Sequence, residues 1–206
     1  MLDLPDGTVL YTSGGNQLYV YKPDGVPLAV GKPAIASMTY NPGGTIHLTG
    51  TLFNGISQGS AYGDDVQQDS NYPLVRFTDG SGKVSYGGSY YWNTAGVQTG
   101  GQLATTECAL PAAVANGPGA FTMQVVANGI ASDPIGFPGP VWVDFNFGGS
   151  PQNGTYSNPF GTLAQGVSTV AAGAEIFLKP GNSHVSITIS KAMNLIAVGG
   201  NAIIGH

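Results

Sequence analysis

The sequence predicts an all-β protein with many tight turns, and composition and turn spacing lead to that prediction. Of its 206 residues, 42% are apolar and only 8% are charged, against roughly a quarter in an average protein. The chain contains 33 glycines and 14 prolines and lacks long runs rich in Leu, Glu, Lys and Ala. Short β-branched and aromatic stretches between Gly- and Pro-containing turns are typical of β-strands.

Residues 1–30 predict an amino-terminal β-hairpin, here called the arm. The turn signals "PDG", "SGGN" and "KPDG" separate two strand-like stretches, "TVLYT" and "QLYVY". A lone hairpin is only marginally stable in water. We therefore expect the arm to pack against something else.

Residues 31–139, here called the middle segment, predict an immunoglobulin-like β-sandwich. Seven short strand-like stretches follow one another, with the turns "NPGG", "DGSGK" and "NG" among them. They span residues 34–40, 45–52, 74–78, 84–91, 104–110, 119–127 and 130–137. Short strands at this spacing fit such a sandwich. The Cys…Trp…Cys framework of antibody domains is missing, so the likeness concerns architecture alone.

Residues 140–206, here called the carboxy-terminal layer, predict a short parallel β-helix-like segment after the linker "FPGPVW". In "GTLAQGVSTVAAG", Leu163, Val167 and Val170 recur at helical spacing, and Gly173 stands where a helix would stop. The stretches "EIFLKPG", "VSITIS", "MNLIAVGG" and "AIIG" then read as short strands between turns. This pattern suits coils that stack on one another.

These motifs resemble two known kinds of protein. "LPDGTVLYTSGGNQLYVYKPDG" is similar to the last blade strands of galactose-oxidase-like, Kelch-type secreted proteins. The run "FNG…YGDD…NYPLVR" resembles the immunoglobulin-like domain that follows that blade. "NPFGTLAQGVSTVAAG" and "TISKAMNL" resemble the opening coil of a parallel β-helix of the domain-of-unknown-function type. The resemblance implies a secreted scaffold in which residues 1–30 are the remnant of a propeller blade.

The resemblance does not carry copper or oxidase activity to this chain. The copper ligand that it implies for the immunoglobulin-like domain is a histidine near residues 79–91, where this chain reads "DGSGKVSYGGSYYW". The three histidines, His47, His184 and His206, stand far apart in the sequence. We therefore predict a non-enzymatic protein with no catalytic residue and no copper.

The charge pattern argues against two classes of partner. The net charge is −5, and the six Lys and Arg residues are scattered singly, so a basic patch for nucleic acid is missing. No apolar run approaches the ~20 residues of a membrane span. No signal peptide is visible, yet the low charge and the abundant Thr, Gly and Asn are typical of extracellular proteins. We expect an extracellular or cell-surface protein, cut or matured from a longer secreted precursor.

Three isolated polar residues have ordinary structural interpretations. Cys108 is the single cysteine, which excludes an intrachain disulfide and a cysteine-based zinc site, and "TTECAL" predicts a small buried strand residue. His47 alternates with Ile46 and Leu48 and is expected to face solvent. Asp144 has no titratable partner nearby in the sequence, as acid–base catalysis requires.

The densest acidic cluster is "YGDDVQQDSN", with Asp64, Asp65 and Asp69. Calcium favours oxygen ligands from a short flexible loop, although this spacing is not that of an EF-hand. The alternative is a surface loop in which Asp and Asn bond their own backbone. We predict no cofactor, with calcium at these three residues as the other interpretation.

Two further motifs concern carbohydrate. Tyr90, Tyr91 and Trp92 close the aromatic run "SYGGSYYW", and aromatic faces can stack on sugar rings. The alternative is that these rings fill a core or an interface. Asn153 begins the tripeptide "NGT", an N-glycosylation sequon. The abundant Thr and Ser leave O-linked sugars open as well.

The apolar strands at both ends of the chain lead to the functional prediction. A β-helix needs about three coils to cover its core, and this sequence has room for roughly half that number. We predict that uncovered apolar residues make the contacts between subunits. They are Leu10, Leu18 and Val20 in the arm, and Ile187, Ile189, Leu195 and Ile203 in the carboxy-terminal layer. Exposed strand edges are templates for pairing with another chain.

We therefore predict a structural protein that binds itself head-to-tail and forms a filament by intermolecular β-strand addition. One alternative is an accessory carbohydrate-binding module of a secreted galactose-oxidase-like protein. A copper or calcium enzyme is the third class. Loss of assembly on removing residues 1–25 would favour the polymer, whereas a monomer that still binds glycan would favour the module.

Overall fold

Strands dominate the structure of this protein. The computed structural model describes residues 2–41, 44–57 and 72–205. Within these ranges the helical segments are short, and the named strands lie in four sheets. The predicted all-β class is therefore confirmed.

The strands fall into three groups along the chain. The arm contains β1 (Leu2–Asp3), β2 (Val9–Thr12) and β3 (Leu18–Tyr21). The middle segment contains β4 (Ala34–Asn41), β5 (Thr45–Thr51), β6 (Leu74–Asp79), β7 (Val84–Tyr90), β8 (Leu103–Ala109), β9 (Ala120–Ala127), β10 (Ile130–Ala131) and β11 (Ile135–Pro138). The carboxy-terminal layer contains β12 (Val141–Val143), β13 (Glu175–Leu178), β14 (Gly181–Ser183), β15 (Asn194–Ala197) and β16 (Ala202–Ile204). The helices are a 3-10 turn (Ala29–Gly31), α1 (Ala112–Ala115) and α2 (Leu163–Thr169).

The arm is an antiparallel sheet in the order β1-β2-β3. The expected hairpin is β2 with β3, and β1 adds a short third strand. The "PDG" turn is closed by Asp6, whose Oδ1 accepts hydrogen bonds from the backbone N–H and the hydroxyl of Thr8. This turn meets the middle segment, because Gly7 lies against Gly129. Both glycines have positive φ, 82° and 71°.

The middle segment is a curled antiparallel sheet in the order β10-β9-β6-β7-β8-β5-β4, with β11 also paired to β9. The first half of β7 pairs with β6, and its second half pairs with β8. The sheet thus folds around one core. Its larger buried side chains include Ile46, Leu48, Phe53, Val75, Phe77, Cys108, Met123, Val125 and Phe137. The apolar alternation of the strands produces this burial because successive side chains point to opposite faces.

The single strand expected at 130–137 is two strands in the structure. Between β10 and β11, the backbone N–H of Ser132 donates to the carbonyl of Val125, and the Ser132 hydroxyl accepts from the Val125 N–H. Pro134 follows and has no N–H to donate to the ladder. The side-chain bond and the proline together interrupt the pairing with β9.

The carboxy-terminal layer is parallel. Strands pair in the order β12-β13-β15, and β14 pairs with β16. Helix α2 begins with a capping box in which Thr162 and Gln165 each accept a hydrogen bond from the other's backbone N–H. A second core lies between the helix and the strands. Its buried members are Val141, Val143, Leu163, Val170, Ala174, Ile176 and Leu178.

Two details of this layer correct the sequence-based expectations. The stretch "VSITIS" at 185–190 is not a strand, and the short strand β14 precedes it instead. Within the described residues, no neighbouring strand provides a ladder for 185–190. Helix α2 ends at Thr169, before Gly173, because Val170 is already extended with ψ at 139°. The Lys191 ammonium donates to the carbonyls of Val167 and Val170 at that helix end.

The carboxy-terminal layer packs against the middle segment through its outward aromatic face. The indole N–H of Trp142 donates to the Ala115 carbonyl at 2.8 Å. Phe177 lies beside Gly44, where a Cβ atom would come within 3.2 Å of its ring. The Tyr156 N–H donates to the Asn116 carbonyl at 2.7 Å. Among the helices that the structure describes, none is long and apolar enough to cross a membrane.

Candidate functional site

The stacked strands of the carboxy-terminal layer leave their last layer uncovered. Val141, Ile176 and Leu195 stand one above another in consecutive parallel strands. Their exposed fractions are 1%, 0% and 36%. Since all three point to the same side of the sheet, the increase shows that, within the described residues, this apolar column ends at β15. No strand of the described chain pairs with the outer edge of β15.

The opposite edge of the same sheet is covered. Val143 of β12 forms a parallel bridge with Phe160. The Phe160 N–H donates to the Trp142 carbonyl, and the Asp144 N–H donates to the Phe160 carbonyl. Gly154 accepts from the Trp142 N–H in the same way. Residues 154–160 therefore cap one edge of the parallel sheet, and the free edge is the one at β15.

The arm presents another free strand edge. Strand β3 pairs with β2 on one side, and within the described ranges nothing pairs with its other side. All four residues of β3 are exposed, with Leu18 at 66% and Val20 at 60%. An exposed apolar edge strand is unusual in a soluble protein because it invites pairing with another chain.

Neither free edge carries the features that usually block edge pairing. Natural edge strands are protected by charged side chains, proline or bulges. The sequences of β3, "LYVY", and β15, "NLIA", contain neither charge nor proline. Both strands are four residues long. The two edges are thus matched in length and open to backbone hydrogen bonding.

The structure places the predicted assembly residues in three environments. Leu18, Val20, Leu195 and Ile203 are exposed within strands, and Ile189 is exposed outside a strand. Leu10 is half-buried within β2. Ile187 lies outside a strand and packs against the second core. The strand-edge members therefore divide between β3 at one end and β15 with β16 at the other.

The predicted aromatic residues form an exposed cluster at the end of β7. Tyr91 is 82% exposed, and its ring stands edge-on to Tyr90 with centroids 4.9 Å apart. Trp92 stacks on Tyr72 with centroids 5.6 Å apart. Tyr91 has a φ of 52°, a left-handed conformation that is strained for a bulky residue. This conformation turns the chain away from the sheet at the point where the rings gather.

Asn153 lies at the surface within a tight turn. Its side-chain oxygen accepts hydrogen bonds from the hydroxyl of Thr155 at 2.8 Å and from the Thr155 N–H at 3.3 Å. Asp64, Asp65 and Asp69 lie outside the described residues. Within the described ranges, no group of three or more His, Cys, Asp or Glu side chains is arranged to hold a metal ion.

Sequence reasoning missed a polar network on the outer face of the middle segment. His47 faces outward from β5 and its Nδ1 lies 2.6 Å from Oε1 of Glu107 on β8. Asn41 on β4 donates to the other carboxylate oxygen of Glu107 at 2.5 Å. The only sequence signal was alternation, which places each residue on the outer face without showing that the three meet.

Two buried titratable groups lie away from these surfaces. Burial raises the pKa of the Cys108 thiol to about 12, so Cys108 is a packed core residue, as expected. Glu175 begins β13 and is fully buried, and neither carboxyl oxygen has a hydrogen-bond partner in the described chain. Burial raises the pKa of Glu175 to about 8. Burial and the nearby Glu175 also raise the pKa of Tyr40.

Comparisons with known proteins leave the chain without an assigned relative. A scan against protein-family models finds no match, and a search among curated proteins finds no related sequence. The likeness to galactose-oxidase-like proteins and to a β-helix therefore stays a prediction from the sequence motifs.

Proposed function

We propose that this protein is a non-enzymatic structural subunit that assembles head-to-tail into filaments by β-strand addition. The observation that supports this most directly is the uncovered stack at β15, where the apolar column of Val141 and Ile176 ends in the exposed Leu195. Strand β3 of a second copy is the occupant. It supplies a free edge of the same length and further apolar side chains.

The contact joins two different surfaces of the chain, the arm and the carboxy-terminal layer. Such a head-to-tail interface does not close on itself unless its rotation forms a ring, so it extends into a filament. Backbone hydrogen bonds of β3 to β15 supply affinity, and the side chains that meet across the joint supply register. The low charge of the chain weakens electrostatic repulsion between successive subunits.

The same proposal includes a specific fold for each of the two larger segments. We infer that the middle segment is an immunoglobulin-like sandwich, which its antiparallel order and the sharing of β7 between two halves of the sheet support. We infer that the carboxy-terminal layer is a short parallel β-helix, which the residue-by-residue stacking of β12, β13 and β15 supports. The sequence motifs support a secreted scaffold of the Kelch type.

The proposed setting is extracellular or on the cell surface. The supporting observations are the low charge of the sequence and the exposed position of the sequon residue Asn153. An N-linked or O-linked glycan on such a filament would lie on a solvent-facing turn. Mass spectrometry of protein from its native source, compared with an Asn153→Gln variant, tests the attachment.

The test is the particle size of the purified chain, by light scattering together with negative-stain microscopy. We expect long regular particles from the wild type. Val20→Lys introduces a charge into the free edge of β3 and is expected to leave monomers. Val26→Lys is the matched control, because Val26 is exposed but lies outside the arm strands.

The second end is tested in the same way. Leu195→Lys is expected to abolish assembly, whereas Val185→Lys, at an exposed position outside the strands, is expected to preserve it. A wild-type chain that stays monomeric at high concentration would contradict the proposal. Assembly that survives both Val20→Lys and Leu195→Lys would show that these edges are not the joints.

A second candidate function is carbohydrate binding through the aromatic cluster. The specific observation in its favour is the exposed ring of Tyr91, held out by a strained backbone beside the stacked pair of Trp92 and Tyr72. Exposed aromatic faces of this kind suit the apolar faces of sugar rings. This function is compatible with a filament, because the cluster lies on neither free edge.

A further inference from the structure

The outer face of the middle segment carries a continuous polar surface. The side chains of β4, β5 and β8 that alternate with the buried Ile46, Leu48 and Cys108 point away from the core. The outward-pointing side chains at the centre of this face are polar. They are Thr39, Asn41, Thr45, His47, Thr49, Thr105 and Glu107. We call this surface the polar face.

Hydrogen bonds order the centre of the polar face. Glu107 contacts His47 through one carboxylate oxygen at 2.6 Å and Asn41 through the other at 2.5 Å. Asn41 also donates to the Thr45 hydroxyl at 3.0 Å. The Thr49 hydroxyl lies 3.4 Å from Nε2 of His47. The side chains of His47 and Glu107 remain partly exposed, so their polar groups are both held in place and accessible.

The aromatic cluster borders this polar face. Tyr90 stands directly opposite Glu107 in the β7–β8 register and therefore lies on the same side of the sheet. The ring of Tyr91 contacts that of Tyr90. Ring faces for stacking and ordered hydrogen-bonding groups thus lie next to one another. Such preorganisation lowers the entropic cost of binding.

The chemistry of the face selects one class of ligand. Strands β4, β5, β7 and β8 contain no Lys or Arg, which disfavours an anionic ligand. The face is an open sheet surface, which suits an extended chain better than a small compact molecule. Carbohydrate combines apolar ring faces with closely spaced hydroxyl donors and acceptors, and a neutral oligosaccharide is an extended chain.

We propose that the polar face and the aromatic cluster form one binding site for a neutral, extended carbohydrate chain. Tyr91, supported by the ring of Tyr90, stacks on a sugar ring. Glu107, with Asn41 and His47, accepts and donates hydrogen bonds to the sugar hydroxyls. This inference rests on the second function proposed above. It adds the hydrogen-bonding residues of the polar face to the site, and it specifies that the ligand is uncharged.

The experiment is isothermal titration calorimetry, which measures the affinity of the protein for neutral oligosaccharides of glucose, xylose and mannose. We expect the wild type to bind at least one of them. Tyr91→Ala and Glu107→Gln are each expected to weaken binding about tenfold, through loss of stacking and of a charge-assisted hydrogen bond. The matched controls are Tyr86→Ala, an exposed tyrosine opposite Arg76 on the other half of the sheet, and Asp133→Asn, which removes the Lys32 ion pair. Both are expected to bind as the wild type does.

The variants separate the possible failures. Asn41→Ala, checked for an unchanged melting temperature, provides a second test of the polar half in case Glu107→Gln disturbs the sheet. If Tyr91→Ala weakens binding while Glu107→Gln and Asn41→Ala do not, this inference fails and the aromatic function stands. If no neutral oligosaccharide binds, both fail. In either case the assembly proposal is judged separately by particle size.

Discussion

At the scale of single residues, the surroundings of Glu175 disfavour its charged form. It begins a strand whose inward neighbours fill the second core, and its own side chain points to the face covered by the middle segment. The Tyr40 hydroxyl nearby donates to Pro138 and so does not satisfy the carboxyl. A buried carboxyl without partners avoids the cost of a buried charge by keeping its proton.

The pKa of Glu175 predicts a pH-dependent stability. The pKa of this carboxyl is 4.5 in the unfolded chain, and burial raises it to about 8 in the folded chain. Folded protein therefore binds more protons between these values, so its free energy of unfolding falls as pH rises through that window, by up to about 1.4 kcal/mol per unit. Below the window the contribution is fully present.

The measurement is chemical denaturation at several pH values between 5 and 8. The wild type is expected to lose stability as pH rises. Glu175→Gln keeps the shape of the side chain and removes its ionisation, so its stability is expected to change much less over the same range. Equal slopes for the two proteins would show that Glu175 is solvated or paired.

At the scale of elements, a close backbone contact joins the arm to the middle segment. The "PDG" turn between β1 and β2 brings Gly7 against Gly129 in the turn between β9 and β10. A Cβ atom added to Gly129 would lie 2.8 Å from the Cα of Gly7. Backbone atoms cannot move aside as a flexible side chain can, so two small residues are required here.

Gly129→Ala is therefore expected to loosen the arm. The added methyl group pushes the turn away, and β1 to β3 lose their support on the middle segment. Hydrogen exchange of residues 2–21 is the measurement, with faster exchange expected in the variant. Gly82→Ala is the control, since its φ of 86° imposes a similar strain outside the arm and nothing lies within 4 Å of the added atom. Equal protection in both variants would refute the docking role.

At the scale of the whole molecule, the two edges proposed as joints, those of β3 and β15, lie on different parts of the chain. The arm supplies β3, the carboxy-terminal layer supplies β15, and the middle segment separates them in sequence. Each subunit thus has one donor and one acceptor end. We can therefore predict what happens when two variants, each with one edge blocked by a charge, are mixed.

Val20→Lys blocks only the donor end, and Leu195→Lys blocks only the acceptor end. Each variant alone is expected to be monomeric. An equal mixture is expected to form dimers and nothing longer, because the intact β3 of one variant adds to the intact β15 of the other and the remaining ends are blocked. Analytical ultracentrifugation measures this. A mixture without dimers, or with long polymers, would contradict the two-ended joint.

Much of the strand pattern was accessible from the sequence. The stretch expected at 45–52 is β5, Thr45–Thr51, and the alternation that buries Ile46 and Leu48 also turns His47 outward. Period-two alternation determines the face of a residue whatever the strand pairs with. It could not settle "VSITIS", because a strand also requires a neighbouring strand and the local pattern does not contain one.

The sequence alone determined the all-β class and the faces of the main strands of the middle segment, because these depend on local composition and alternation. Which of the outward residues meet depends on the tertiary fold. The pair of His47 and Glu107 depends on the register between β5 and β8, and the burial of Glu175 depends on the packing of one segment on another. Both are long-range consequences of how the backbone closes, so no window of neighbouring residues contains them.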